Sequence, residues 1–139
     1  MITRYGHDKV EKHLGGHIQA VQATKHKVVW CCDPMHGNTE TTESGLKTRR
    51  FENIAKVNLR INNQELQLVF ETHQSHASRL NGVHFELTGD RVTECVGGSM
   101  KLQVSDLSRN YQTHCDPRLN YEQSLDIAFL IAKMTCFKK

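Results

Sequence analysis

Long apolar runs, blocks of like charge and paired cysteine motifs are all missing from this 139-residue sequence. No apolar stretch is long enough to cross a membrane, and the first residues lack the apolar core of a secretory signal. No run of five like charges occurs and the net charge is only +3, which argues against nucleic-acid binding. We therefore expect a cytoplasmic protein that binds neither a membrane nor a nucleic acid.

The cysteines also exclude two classes of small domain. There are five, an odd number, and none forms a Cys-x-x-Cys pair, so neither a disulfide framework nor a cysteine-rich zinc site is expected. Cys31 and Cys32 lie in an apolar run, where buried thiols are common. A reducing compartment fits these cysteines best.

The sequence is long enough for one domain at most, and its pattern predicts strands that alternate with helices. Of its residues, 37% are hydrophobic and 24% charged, which allows a core of ordinary size. Apolar and β-branched runs predict strands, whereas apolar residues three to four positions apart predict helices. The predicted strands are residues 1–4, 27–32, 82–87 and, with the faintest signal, 111–115. The predicted helices are residues 8–24, 51–73, a short one that starts at 105–107 and a last one after residue 120, with a loop over 33–50.

Two of these helices carry further expectations. Asn62 and Asn63 are a candidate break in the long segment 51–73. Asn120 is expected to cap the last helix. The apolar side chains expected on one face of that helix are Leu125, Phe129 and Ala132, beside Ala128 and Ile131.

Alternation of strands with helices predicts a parallel sheet with right-handed crossovers. Charged or metal-ligating side chains at several strand ends are typical of a β/α barrel, whose loops after the strands build the active site. Because a closed eight-stranded barrel needs ~250 residues, this chain supplies only about half of the strands. We expect an α/β fold made of the C-terminal three to four β/α units of a (β/α)8 TIM barrel, incomplete as a single chain.

Three candidate metal ligands lie at the ends of predicted strands. His36 follows the second strand, Glu86 lies in the end of the third and Asp116 follows the fourth. One imidazole and two carboxylates form a mixed nitrogen and oxygen set that suits Mn²⁺, Fe²⁺, Co²⁺ or Zn²⁺. In the alternative, His36 closes a loop and the carboxylates form ion pairs or cap helices. Spacing alone favours this second, structural interpretation.

Positive side chains lie near the same ends. Arg4 follows the first strand, and Lys47, Arg49 and Arg50 follow the loop after the second. Arginine suits bidentate recognition of phosphate or carboxylate, and lysine acts as a point charge. The alternative is that these residues form a solvated basic loop, and this interpretation is favoured for Arg50. For Arg4, spacing does not distinguish anion binding from a solvated position.

Three further residues have two interpretations each. Cys115 is interpreted as a small buried thiol rather than a nucleophile, because no base that would activate it is evident. His84 is either a packed histidine of the strand or a functional one. Glu94 is either a carboxylate that supports the site from behind or a surface residue.

Five sequence strings resemble those of the class II, plant-type 3-deoxy-D-arabino-heptulosonate 7-phosphate (DAHP) synthases. They are VVWCCDPMHGNT at 28–39, GLKTR at 45–49, GVHFELTG at 82–89, VTECVGG at 92–98 and CDPRLN at 115–120. The resemblance runs from Ile2 to the last helix. By this resemblance, residues 1–139 are the C-terminal part of that family's barrel domain.

The resemblance implies a transferase that condenses phosphoenolpyruvate with erythrose 4-phosphate in a metal-dependent, aldol-type reaction, the first step of the shikimate pathway. It implies that His36, Glu86 and Asp116 are three of four metal ligands, with Mn²⁺ expected first and Co²⁺ or Zn²⁺ as alternatives. Arg4 would bind phosphoenolpyruvate through its phosphate or carboxylate, and Lys47 the phosphate of the aldose. His36 would also help to position the attacking water. This agreement with the strand-end ligands reverses the preference for the structural interpretation.

Some features depart from the family pattern. The family's fourth metal ligand is a cysteine on an early strand without counterpart here, and Cys31, Cys32 and Cys115 lie at other positions. The segment 54–82 is longer than in the family, and Asn81 replaces a glycine. We expect a homo-oligomer or association with a missing N-terminal half, in the cytoplasm or, for a plant protein, in a plastid. Two alternatives stay open: a non-catalytic remnant that binds metal or a full-length synthase, and an unrelated metal-binding hydrolase.

Overall fold

Short strands connected by helices and long loops make up the part of the chain that the computed structural model describes, residues 1–55 and 64–136. The elements, in chain order, are β1 (Ile2–Thr3), α1 (Val10–Ala23), β2 (Trp30–Cys32), β3 (Thr39–Thr41), β4 (Lys47–Arg49), α2 (Phe51–Ile54), α3 (Glu65–Ser75), β5 (Leu80–Val83) and α4 (Tyr121–Cys136). Two 3₁₀ helices span His36–Asn38 and Val104–Arg109. None of the described helices is both long enough and apolar enough to cross a bilayer.

The central sheet is parallel, with the strands in the order β1-β2-β5. The predicted α/β fold and parallel sheet are therefore confirmed. Backbone pairing continues past β5, because the His84 N–H donates to the Cys32 carbonyl (2.8 Å) and Leu87 forms a parallel bridge with Leu119. The carboxyl ends of the strands consequently lie at one edge of the sheet, and the loops that follow them meet there.

Helix α1 covers the sheet with apolar side chains at helical spacing. Val10, Leu14 and Ile18 are fully buried and pack in one cluster with Trp30 and Cys32 of β2. Helix α3 joins the same cluster through its own apolar side chains. Burial of these side chains, rather than helix propensity, accounts for a helix that contains two adjacent glycines.

Helix α4 begins where predicted but buries a different face. Asn120 caps it, since its Oδ1 accepts the Gln123 N–H (2.9 Å) while Gln123 Oε1 accepts the Asn120 N–H (3.2 Å), a reciprocal capping box. The apolar face that the spacing predicted, with Leu125 and Phe129, is not the buried one: both residues are exposed, Phe129 to 73%. Gln123 is fully buried and donates to the Cys95 carbonyl (3.1 Å), which fixes the rotation of the helix. The apolar residues on that buried side are Ile127, Leu130, Ile131 and Met134.

The loop predicted over 33–50 is only partly a loop. After the 3₁₀ helix, β3 and β4 form an antiparallel hairpin whose turn contains Gly45 at φ +84°, a conformation that glycine adopts without strain. The hairpin was missed because its strands are short and polar. The helix predicted over 51–73 is found as α2 and α3, and the proposed break at Asn62 and Asn63 lies outside the described residues.

The strand predicted over 111–115 is wrong. The backbone N–H groups of Gln112 and Thr113 donate to the Glu94 carboxylate (3.3 and 2.9 Å) rather than to a neighbouring strand. The pairing with the third predicted strand is made instead by Leu119, which bridges to Leu87. The segment that carries Asp116 is thus a loop held by a buried side chain.

Candidate metal and anion site

The loops at the carboxyl edge of the sheet bring together His36, Glu86 and Asp116. His36 Nε2 lies 3.6 Å from Glu86 Oε1 and 3.9 Å from Asp116 Oδ2, and the ligand atoms of all three lie within 4.8 Å of one another. Two atoms that each lie about 2.1 Å from one cation can be separated by at most about 4.2 Å, so the distances from His36 to the two carboxylates fit a shared cation. One nitrogen and two oxygens suit Mn²⁺, Co²⁺ or Zn²⁺.

Asp33, at the end of β2, orients the His36 ring. Its Oδ1 accepts the backbone N–H groups of Met35 (3.0 Å) and His36 (3.2 Å), and its Oδ2 lies 2.7 Å from His36 Nδ1. Burial raises the pKa of Asp33, but the hydrogen bonds from His36 and Met35 outweigh it and hold that pKa below its usual range. Because the ionised carboxylate can only accept a hydrogen bond, it favours the tautomer with the proton on Nδ1, which leaves a lone pair on Nε2, as a metal-binding histidine requires.

Each carboxylate of this cluster gives its other oxygen to a cation. Glu86 Oε2 lies 2.5 Å from Arg49 Nη1, and Asp116 Oδ1 lies 3.0 Å from Lys47 Nζ. The hydrogen bond from Lys47 lowers the pKa of Asp116, and the same bond raises the pKa of Lys47. Both carboxylates are therefore held with one oxygen turned toward His36.

Arg49 is the residue of this site whose importance the sequence did not reveal. Its side chain is fully buried; Nε donates to Thr39 Oγ1 (2.9 Å), and Nη1 donates to the Pro117 carbonyl as well as to Glu86. Its Nη2 has no partner within the described part of the chain. Arg49 therefore joins the hairpin to the two loops that carry the carboxylates. Alternation along β4 places Arg49 on the same side as Lys47, but the sequence did not predict this strand.

Arg4 and Lys47 are the exposed cations beside the cluster. Arg4 follows β1, and its Nε forms an ion pair with Asp33 Oδ2 at 2.6 Å while its side chain stays 53% exposed. Lys47 is about equally exposed. Both predicted anion-binding residues thus lie next to the predicted ligands, each ion-paired to a carboxylate and open to solvent.

The loops after β1 and β2 are tied together beneath the site by Glu65, which the sequence analysis did not single out. This fully buried residue begins α3; its Oε1 accepts the Tyr5 N–H (3.2 Å) and its Oε2 accepts the Asn38 side-chain amide (2.8 Å). Burial raises the pKa of Glu65 to about 7. Gly37 also lies so close to Gly6 that a side chain at either position would clash with the other loop's backbone.

Comparison with known proteins places this arrangement in a family. Residues 1–132 match the family model described as the Class-II DAHP synthetase family. The chain belongs to this family. It is 47% identical over 134 residues to the phospho-2-dehydro-3-deoxyheptonate aldolase AroG of Mycolicibacterium smegmatis, an alignment that covers 96% of this chain and 27% of that relative.

Two further relatives show the same relationship. The phospho-2-dehydro-3-deoxyheptonate aldolase of Neurospora crassa is 49% identical over 134 residues, with 95% of this chain and 26% of the relative covered. The protein of the same name from Streptomyces coelicolor is 47% identical over 133 residues, with 96% and 28% covered. The resemblance inferred from the five strings is confirmed, and the chain spans little more than a quarter of its relatives' length.

In this member of the Class-II DAHP synthetase family, Glu94 supports the loop that carries Asp116. It is fully buried and accepts three hydrogen bonds from Arg118, from the backbone N–H (2.7 Å), Nε (3.0 Å) and Nη2 (2.7 Å). Burial raises the pKa of Glu94, but the hydrogen bonds from Arg118 more than offset this and lower it. Of its two interpretations, the supporting carboxylate is the one observed.

Two other residues beside the site are exposed to solvent. Cys115 is exposed, so its interpretation as a buried thiol is wrong; its Sγ lies 3.8 Å from Asp116 Oδ2. His84 is also exposed rather than packed in the core, and its ring centroid lies 5.9 Å from that of His36. Ligand atoms of Asp33, His36 and His84 lie within 4.8 Å of one another, so His84 belongs to the rim of the same site.

Proposed function

We propose that the chain is the C-terminal part of a 3-deoxy-7-phosphoheptulonate (DAHP) synthase. The reaction joins phosphoenolpyruvate, D-erythrose 4-phosphate and water to give DAHP and inorganic phosphate, and it opens the shikimate route to chorismate and the aromatic amino acids. The observation that carries this proposal is the convergence of His36, Glu86 and Asp116 in a chain of this family. Residues 1–139 would then form the last three to four β/α units of a (β/α)8 barrel, in the cytoplasm or in a plastid.

His36, Glu86 and Asp116 would hold a divalent cation, Mn²⁺ in the first instance and Co²⁺ or Zn²⁺ as alternatives. Such a cation, when bound, polarises a carbonyl oxygen as a Lewis acid. Asp33 keeps the His36 ring in the required tautomer. Arg49 and Lys47 hold the outer oxygens of the two carboxylates. Because these contacts exist already, the side chains need little rearrangement to accept the ion.

Both substrates of the proposed reaction carry phosphate, and two exposed cations flank the cluster. Arg4 would bind the phosphate or carboxylate of phosphoenolpyruvate, and Lys47 the phosphate of erythrose 4-phosphate. With both substrates held in this way, the C2=C3 electron pair of phosphoenolpyruvate forms the bond from C3 to the aldehyde carbon, and the aldehyde oxygen takes up a proton to become a hydroxyl group. Water adds at C2 and gives up its protons, and phosphate leaves with cleavage of its C–O bond, which leaves a ketone at C2. His36 also helps to position that water. Fixing both reactants removes much of the entropic cost of their encounter.

Consumption of phosphoenolpyruvate on addition of erythrose 4-phosphate and Mn²⁺ tests this function. We expect metal-dependent consumption when the chain is mixed with the portion of the Streptomyces coelicolor relative that lies outside the aligned region. His36→Ala should abolish it, whereas His26→Ala, at an exposed position outside the site, should not. No consumption in the mixture, or equal rates for the two variants, would contradict the proposal.

A non-catalytic role is the second candidate, and exposed apolar residues in and beside the sheet favour it. Ile2 in the edge strand β1 is 59% exposed, and Val29 before β2 is 69% exposed. In this role the chain binds a metal ion or docks onto a full-length synthase. It predicts no consumption in the mixture above, together with a change in the oligomeric state of a full-length synthase when the chain is added.

A further inference from the structure

One carboxylate oxygen of Asp33 contacts both His36, a candidate metal ligand, and Arg4, the candidate phosphoenolpyruvate-binding residue. Asp33 Oδ2 lies 2.7 Å from His36 Nδ1 and 2.6 Å from Arg4 Nε. The carboxylate is fully buried, and its other oxygen accepts two backbone N–H groups of the 34–36 turn. The same atom therefore faces donors that come from the loops after two neighbouring strands.

Both donors, His36 and Arg4, contact Asp33 with one nitrogen and keep their other nitrogens for a ligand. His36 contacts Asp33 through Nδ1, which leaves Nε2 beside Glu86 and Asp116. Arg4 contacts it through Nε, which leaves the two Nη groups of a half-exposed side chain for another partner. A buried carboxylate is little screened by water, so it constrains both side chains more firmly than a surface ion pair would.

We propose that Asp33 is a positioning residue that prepares the cation site and the anion site together. The inference rests on the proposed roles of His36 and Arg4. Asp33 holds the His36 ring with Nε2 toward the two carboxylates, and it holds the Arg4 guanidinium with its Nη groups available to a phosphate or carboxylate. Loss of the Asp33 charge therefore weakens both sites, even when each ligand is offered in the absence of the other.

Asp33→Asn separates this role from a purely structural one. Asparagine keeps one oxygen acceptor, which can still bind the N–H groups of Met35 and His36. It then presents an NH₂ group to His36 Nδ1 and Arg4 Nε, which are donors themselves. Asp106→Asn is the matched control, because Asp106 also accepts a backbone N–H (from Gln103, 2.8 Å) and pairs with an arginine (Arg109, 3.0 Å), in the 3₁₀ helix outside the site.

Three measurements on the full chain test the inference. In ¹⁵N-histidine spectra taken where the ring is neutral, we expect His36 to carry its proton on Nδ1, and on Nε2 in Asp33→Asn. Electron paramagnetic resonance with Mn²⁺ and no anion should show affinity reduced about 10- to 100-fold in Asp33→Asn, as for other carboxylates behind metal-binding histidines. Phosphorus NMR with phosphoenolpyruvate and no metal should show affinity reduced to a similar degree, whereas His36→Ala should lower only the Mn²⁺ affinity and Arg4→Ala only the phosphoenolpyruvate affinity.

Several outcomes would overturn the inference. If Asp33→Asn keeps its affinity for either Mn²⁺ or phosphoenolpyruvate, the two sites are not prepared together. If Asp106→Asn loses as much of both affinities as Asp33→Asn does, the losses reflect a general loss of structure. If Asp33→Asn unfolds, the unsubstituted chain decides, since a neutral His36 ring protonated on Nε2 contradicts the shared positioning. Failure of the unsubstituted chain to bind Mn²⁺ contradicts the proposed function instead, and the ¹⁵N and phosphoenolpyruvate measurements then decide on Asp33 alone.

Discussion

At the scale of single residues, the site depends on cations that hold the outer oxygens of its carboxylates. Arg49 shows this best, because its guanidinium is fully buried and contacts Thr39, Glu86 and Pro117 at once. A buried charge is costly unless it is paired and hydrogen-bonded. Glu86 is therefore needed for stability as well as for any cation that it binds.

Glu86→Gln should lower the free energy of unfolding by about 3 kcal/mol even without metal, because it leaves the buried Arg49 without its counter-charge. Adding Arg49→Met should recover part of that loss, since the unpaired charge is then gone. Urea denaturation of the two single variants and the double variant measures both effects. His36→Ala is the comparison and should change stability by less than about 1 kcal/mol, because His36 is partly exposed. Equal losses in Glu86→Gln and His36→Ala would contradict the structural role of Glu86.

Some features of these residues could be predicted from the sequence and others could not. The meeting of His36 and Glu86 could be expected, because each follows a strand of the parallel sheet and the carboxyl ends of such strands share one edge. Asp116 was placed there by the family resemblance, since the strand predicted before it does not form. The choice of Arg49 rather than Arg50 as the buried cation could not, since it depends on the hairpin, which the sequence did not predict. Exposure of Cys115 and His84 likewise depends on loop paths that are set by distant partners.

At the scale of elements, buried polar side chains hold the loops that the short strands leave unsupported. The Glu94 carboxylate accepts backbone N–H groups of residues 112–118 that a neighbouring strand would otherwise bind. Glu65 connects the loops after β1 and β2 in a similar way. Such contacts leave no periodic signal, which explains why residues 111–115 were mistaken for a strand. Helices α1 and α4 could be located from the sequence, because capping and apolar spacing are local. The rotation of α4 could not, since two apolar stripes compete and the buried Gln123 selects between them.

Glu94→Gln should lower the free energy of unfolding by about 2 kcal/mol at neutral pH, because hydrogen bonds to a charged acceptor are lost. The folded-state pKa of Glu94 lies below its unfolded value, so its contribution is present above about pH 4 and is lost as pH falls through the folded-state pKa. The difference between Glu94→Gln and the unsubstituted chain should therefore shrink on acidification. Urea denaturation at neutral and acidic pH measures it, with Glu11→Gln at an exposed position of α1 as control. A difference that grows with acidity would contradict the assigned role.

At the scale of the whole molecule, β1 is an edge strand of the sheet that residues 1–55 and 64–136 form. Ile2 in β1 has an exposed apolar side chain, and an edge strand offers unpaired backbone groups to another chain. The chain also spans little more than a quarter of the length of its relatives. We propose that a second copy of the chain associates through this edge.

Ile2→Lys should reduce this association, because a charge on the edge strand opposes pairing with another chain. Sedimentation over a range of concentrations should show self-association of the unsubstituted chain and a shift toward monomer in Ile2→Lys. Gln19→Lys adds the same charge at an exposed position of α1 and should leave the distribution unchanged. A monomer at all concentrations, or equal shifts in both variants, would contradict association at β1.

Titration of the metal-free chain with Mn²⁺, followed by electron paramagnetic resonance, tests the cation site most directly. The structure predicts one bound ion per chain and its loss in His36→Ala, with binding unchanged in His26→Ala. No binding by the unsubstituted chain, or equal binding by His36→Ala, would contradict a cation site formed by His36, Glu86 and Asp116.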